Sequence, residues 1–446
     1  MDKNQFLEFL EKNILPIFAG SEIVGEEQSS PRDAQVANAG GKLLVKLQKT
    51  DDYRIVIKKL QPFKNFEASL VKSIFTDLLD MYSKDVEKSQ IEAVQNYIIE
   101  KSICESMSES ASKTLLRIVT ELTKWGNRTY EGNRTVFGFL VDSKKSSKGT
   151  NQNLHISKIM QEPFSAVLSD GINTCLEITS DGYLIKHVNL PKNFDDSLCV
   201  PYEYLSLAKC TTATKIGIAL CKTGDILLFR DRELVFAKKA GEWVRYGHEE
   251  IIQKISNTDD EESSKTRRAV YLTALDVSFC RTGGCVVHLD KENYNNVLKH
   301  IDISDLLEED CYKIKNEKRL TESFFTLNSN SESALNYEEY LKTENALKIV
   351  NMRKVINGRK FYELSRKFRQ ELVSIDGATI VDNDGNLLAV GAIILIESGG
   401  FSGGRLAAAK TLSKYGVSLK ISADGQIQGF KMDSHKLRSI PIFMLG

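Results

Sequence analysis

Residues 376–396 read "DGATIVDNDGNLLAVGAIILI", and the fold of the C-terminal part turns on them. Apolar runs flank Asn383-Asp384-Gly385, a turn signal that joins antiparallel strands, so the stretch predicts a β-hairpin. "SGGRLAAAK" (402–410) follows, so a strand runs into a glycine-rich turn and then a short helix stopped by Gly416. Before the hairpin, "RKFYELSRKFRQELVSI" (359–375) has helical spacing that puts Phe361, Leu364, Phe368 and Leu372 on one face. After it, "VSLKIS" (417–422), Asp424-Gly425 and "QIQGF" (426–430) read as strand, turn and strand. Further upstream, "AVYLTALDVSFC" (269–280) reads as a helix and "GGCVVHLD" (283–290) as a strand.

Working outward, the texture changes twice. Residues 1–126 mix strands, "GKLLVKLQ" (41–48) and "YRIVIKKL" (53–60), with helical stretches at 66–84 and 90–126. From 127 to 255 short apolar runs alternate with D-G, T-G-D and R-D-R turns, which predicts an antiparallel β region. The run "SNTDDEESSKTRR" (256–268) has no apolar residue and reads as a linker. Residues 268–446 then form a third region, and the polar segment 312–345 within it reads as an insertion or long loop. The expected class is a multidomain α/β protein with a C-terminal mixed-sheet domain behind an antiparallel β region.

Composition narrows the function. Of 446 residues, 41% are hydrophobic and 27% charged, enough for real cores. Lys+Arg and Asp+Glu are both 60, so whole-chain charge does not point to nucleic acid or an anionic membrane. No segment reaches the ~18 uninterrupted apolar residues of a membrane span, and the first 20 residues lack a signal-peptide core. The eight cysteines have no C-x-x-C pair and no metal-like spacing with the six histidines, so buried thiols in a reducing cytoplasm are expected. Trp125, Trp243, Tyr130, Phe137 and Phe139 read as β-region core or a stacking face. "NRTYEGNRT" (127–135) reads as a solvated loop or a ligand contact, and His248 and His288 as isolated structural histidines.

Two motifs carry chemistry. Gly399, Gly400, Gly403 and Gly404 before Arg405 suit phosphate, because free N–H groups at a helix start face an anion and missing side chains let the backbone approach. Arg405-Leu406 stands where a Walker A loop has Lys-[Ser/Thr], which excludes that loop type. On local pattern alone, cradle and plain turn remain open. Asp376-Gly377-Ala378, at a helix end and strand start, places a carboxylate where magnesium or manganese could sit with phosphate oxygens. Asp-Gly pairs also make ordinary turns, and the chain has others at 170–171, 181–182, 384–385 and 424–425.

Together, the order helix, D-G-A, hairpin, glycine turn, arginine, Ala-rich helix and strand with a serine resembles the catalytic domain of diadenylate cyclases, including DNA-integrity-scanning proteins. The resemblance covers roughly 270–433 and is tightest over 374–430. It implies that Asp376 binds the metal, with Gly377, Ala378 and Thr379 beside the ribose or base. "GGCVVHLD" would be the early strand beside the nucleotide. Gly403, Gly404 and Arg405 would hold the triphosphate, and Ser422 would lie near the phosphates. The implied activity joins two ATP molecules into a cyclic dinucleotide across a face-to-face homodimer, with Mg2+ or Mn2+, in the cytoplasm. The chain departs from the family at Leu406 and Ala407, where relatives carry His and a second Arg, and at Ala423-Asp424, where they often carry an acidic pair. Lys410 and Lys420 are candidate replacements for the missing cation. The alternative reading is a degenerate domain that binds a nucleotide as a sensor.

Overall fold

The computed structural model describes all residues except 1–2, 49, 83–87, 148–153, 193–194, 257–259, 316–338, 340, 344–345, 397–402, 434 and 436. Gly399, Gly400 and Ser402, and most of the expected insertion at 312–345, lie outside the described residues. The chain is mixed α/β and divides into two units, Met1–Gly247 and His248–Gly446.

In the first unit, α1 (Lys3–Phe9) precedes an antiparallel sheet of β1 (Glu22–Gln28), β2 (Val36–Ala39), β3 (Lys42–Val45) and β4 (Tyr53–Lys58), ordered β1-β4-β3-β2. The helices α2 (Asn65–Tyr82), α3 (Lys88–Met107) and α4 (Ser112–Trp125) follow, so the single helical stretch expected at 90–126 is two helices. A small hairpin, β5 (Thr129–Tyr130) and β6 (Asn133–Arg134), leads into a larger sheet. Its strands are β7 (Phe137–Asp142), β8 (Thr174–Thr179), β9 (Leu184–Asn189), β10 (Lys215–Leu220), β11 (Ile226–Arg230), β12 (Glu233–Lys239) and β13 (Glu242–Arg245). They are ordered β13-β12-β11-β10-β7-β8-β9. The short helices α5 (Ile156–Ile159) and α6 (Leu205–Lys209) lie in its connections.

Two expectations change here. The sheet is not wholly antiparallel, because β7 and β8 run parallel, joined by the long crossover that parallel strands require. The expected regions 1–126 and 127–255 also share one core, running from Phe6 and Phe75 through Leu122 to Phe139 and Trp243. The cause is visible in α4, whose Leu115, Ile118, Val119, Leu122 and Trp125 form one buried stripe. Such a stripe must be covered by another layer. Trp125, Trp243, Phe137 and Phe139 are accordingly core residues, and Trp125 meets Phe137 edge-on at 5.4 Å.

The second unit opens with α7 (His248–Ile255) and α8 (Glu261–Cys280). The polar run read as a linker is largely the start of α8. Asp260 caps it by accepting from the Ser263 N–H at 2.8 Å, and Glu261 and Glu262 favour the positive end of the helix dipole. Ser263, Thr266 and Arg267 are buried, so polar letters hid a core-facing stripe. The remaining elements are β14 (Gly284–Leu289), α9 (Tyr294–Val297), α10 (Leu347–Ile356), α11 (Arg366–Ser374), β15 (Ala378–Val381) and β16 (Leu387–Ala392). They are followed by α12 (Gly404–Leu412), β17 (Gly416–Ile421), β18 (Ile427–Asp433) and β19 (Arg438–Leu445). The six strands form one sheet ordered β16-β15-β14-β17-β18-β19, with β14 and β15 parallel and every other pair antiparallel.

Helices cover both faces of this sheet. On one face, α8 and α11 pack together and a buried bidentate pair joins them, Arg366 to Asp276 at 2.7 and 2.8 Å. On the other, Ala409 and Leu412 of α12 join a core with Cys285, Val287, Ala378 and Ile380. The hairpin at 376–396 forms as expected, and its turn is clasped by the Asp382 carboxylate, which accepts from the N–H groups of Asp384 and Asn386. Three boundaries differ from expectation. Helix α11 begins only after Ser365, whose hydroxyl accepts from the Phe368 N–H, so Phe361 and Leu364 are buried outside the helix. Helix α12 ends at Leu412, while Gly416 starts β17, where a Cβ would strike the His288 carbonyl. Strand β19 was not foreseen.

Candidate functional site

The site residues converge through the way α8 hands the chain to β14. Arg281 ends the helix in the left-handed region (φ 57°), and Gly283 (φ 71°) completes the reversal. At Gly283 a Cβ would collide with Nη1 of Arg405 and lie 3.2 Å from the Ile421 carbonyl. The start of β14, the end of β17 and the first turn of α12 therefore meet at one point. Glycine is required there both for the backbone angle and for the guanidinium lying across it.

The D-G-A motif starts β15, the parallel neighbour of β14, at the same end of the sheet. Thr282 and Ser374 join the two approaches through their hydroxyls at 2.8 Å. Gly377 (φ 107°) lies so close to β16 that a Cβ would sit 2.5 Å from the Gly391 carbonyl carbon and 2.7 Å from the Ala392 oxygen. Asp376 is exposed, and its carboxylate accepts only the neighbouring Gly377 N–H, at 3.2 Å, among the described residues. It is therefore available to a ligand or a cation.

Gly403 caps α12 with no side-chain bond, and Gly403 and Gly404 are exposed with open space where a Cβ would be. The Gly403 carbonyl accepts from the N–H groups of Leu406 and Ala407 at 2.9 and 3.2 Å. The N–H groups of Gly404 and Arg405 have no partner among the described residues. Arg405 is half-buried, and its guanidinium forms no hydrogen bond or ion pair among those residues. A guanidinium and helix N–H groups unpaired among the described residues, at the same end of the sheet as an exposed carboxylate, can receive a phosphate and its counter-cation.

The other expected residues sit differently. Ala378 is fully buried in the core on the α12 face. Thr379 is buried on the opposite face, where its hydroxyl donates to the Leu372 carbonyl at 3.3 Å. Ser422 lies at the correct end of the sheet, but it closes the β17–β18 turn. Its N–H and hydroxyl both donate to the Gln426 carbonyl, at 2.9 and 3.2 Å. Asp424, in that turn, is held below the usual carboxylate range by the Gln426 N–H, then by Ser422 and the charges of Lys420 and Arg281, against its desolvation. Leu406 packs on the core, and Lys410 is exposed. Among the described residues no three His, Cys, Asp or Glu side chains gather as a ready-made metal site.

Other sequence candidates lie elsewhere in the fold. His248 is buried, with Nδ1 2.6 Å from the Tyr271 hydroxyl. Arg128 and Arg134 are exposed around the β5–β6 hairpin, whose tip uses Glu131 (φ 50°) and Gly132 (φ 80°). All eight cysteines are free thiols. Among the described residues no helix is long and apolar enough to cross a membrane. No family model matches the chain, and neither a curated protein nor a solved structure matches it.

Gly283 is the residue that motif reading missed. Only the "GG" of "GGCVVHLD" hinted at it, because its role depends on Arg405, far along the chain.

Proposed function

We propose that the C-terminal unit is a diadenylate-cyclase-like nucleotidyltransferase that joins two ATP molecules into a cyclic dinucleotide, with the upstream unit as its sensor. The observation that supports this reading is convergence: Asp376-Gly377, Gly283, Gly403-Gly404 and Arg405, unpaired among the described residues, gather at one end of one sheet. A lone exposed carboxylate fits magnesium or manganese of the kind that completes its shell with phosphate oxygens, and does not fit an all-protein cage. Asp376 would hold that ion, which when bound neutralises phosphate charge and polarises the reacting oxygens.

In this reading the Gly404 and Arg405 N–H groups and the Arg405 guanidinium orient the triphosphate, and the tight Gly377 backbone borders the nucleoside. A second protomer, face to face, presents its own nucleotide. Each 3′-oxygen forms a bond to the other nucleotide's α-phosphorus, its proton leaves, and the α–β P–O bond breaks to release pyrophosphate. The protein contributes positioning and charge compensation. A cytoplasmic homodimer is part of this proposal.

One observation favours binding without turnover: Leu406 packs on the core and Ala407 carries no polar group, so the first turn of α12 supplies one cation, Arg405. Incubating the protein with labelled ATP and Mg2+ or Mn2+ separates the readings. A cyclic dinucleotide absent from Asp376→Asn is expected of the enzyme. ATP bound but unchanged at dimer-forming concentrations makes the unit a sensor, and no binding removes both.

A further inference from the structure

We propose that Lys420 is the second phosphate-binding cation of this site, acting from strand β17 on the triphosphate of a nucleotide that Arg405 holds from α12. This rests on the nucleotide-binding reading above. Lys420 pairs with Cys285 across the β14–β17 ladder, and residues paired in this way project from the same face of a sheet. Arg405 reaches that same face. Its guanidinium lies over Gly283, two residues before Cys285 on β14. Its charge is also felt at the Cys285 thiol, which burial pushes up to about 12 and Arg405 draws down. Two cations thus address the start of β14, Lys420 opposite Cys285 and Arg405 over the glycine just before the strand.

Neither has a carboxylate partner in an ion pair among the described residues. Lys420 is half-buried and, like Arg405, forms no ion pair among the described residues. Asp424 feels the charge of Lys420, but its Oδ1 accepts the Gln426 N–H within the turn. Two cations on one face, neither ion-paired among the described residues, leave a positive potential suited to a polyanion, which the Asp424 charge near Lys420 reduces without pairing it. Lys410 does not share the place. Five residues beyond Arg405 it lies roughly 140° around the helix, and it is exposed.

The test measures ATP and adenosine binding to the full-length protein with Mn2+, comparing Lys420→Met, Lys420→Arg and Lys410→Met. Loss of a charged phosphate contact weakens ATP binding roughly tenfold in Lys420→Met. Adenosine binding is expected to stay unchanged, Lys420→Arg to retain ATP affinity, and Lys410→Met to behave as the parent. Circular dichroism and melting of each variant show that the fold is intact. If Lys420→Met does not fold, Lys420→Gln replaces it with the same expectation. Parent-like ATP binding by the neutral variant overturns the role of Lys420 while leaving the site standing. Equal losses of ATP and adenosine also overturn it, because the effect is then not on phosphate. A parent protein that binds no ATP removes the site and this role together.

Discussion

His288 is shut inside β14 with 0% exposure, and neither ring nitrogen meets a hydrogen-bond partner within normal geometry among the described residues. Burial first, and the nearby Arg267 charge second, lower its pKa from 6.5 to about 4, against weaker opposing contributions from the backbone and then from Asp260. The folded ring is therefore neutral where the unfolded ring already takes a proton. Stability is lost as pH falls from about 6.5 toward about 4 and is full above that window. A His288→Met variant lacks this sensitivity. Relative to it, the parent should lose about 2 kcal/mol between pH 7 and pH 5 in urea unfolding. An unchanged gap between the two proteins would show that the ring is solvated or partnered. His288 is buried in the sheet, but unlike a satisfied structural histidine its ring nitrogens lack partners among the described residues, and its neighbours on α8 and β18 were not legible in "VVHLD".

Among the elements, those announced by turn chemistry were legible and those built from polar letters were not. Asn383-Asp384-Gly385 marked the β15–β16 hairpin, and the apolar runs on either side set its strands. The start of α8 was hidden because Ser263, Thr266 and Arg267 occupy its inward stripe, so composition read as linker where geometry makes a helix. The two interpretations differ in what Asp260→Ala does. Removing the cap, and the Asn383 amide's bond to the same side chain at 3.3 Å, should cost about 1 kcal/mol or somewhat more in denaturant unfolding. A substitution in a true linker would be silent. Helix α11 was misplaced for a similar reason: Phe361 and Leu364 kept helical spacing, yet Ser365 caps the chain only after them.

Across the whole molecule, the order of motifs singled out Asp376, Gly377 and Arg405 as candidates, while topology alone revealed what brings their segments together. Placing β14 between β15 and β17 brings segments from 282, 376, 404 and 421 to one sheet end. No local window contains that fact. The division into two units, with one core spanning Phe6 to Trp243, likewise depends on long-range packing that composition could not assign. Hydrogen exchange of the full-length protein with and without ATP and Mn2+ tests the site most directly. The expected result is slowed exchange at amides 282–286, 376–378 and 404–407, weakened in Arg405→Met. Exchange that slows nowhere, or only outside these segments, would contradict a nucleotide site at this end of the sheet.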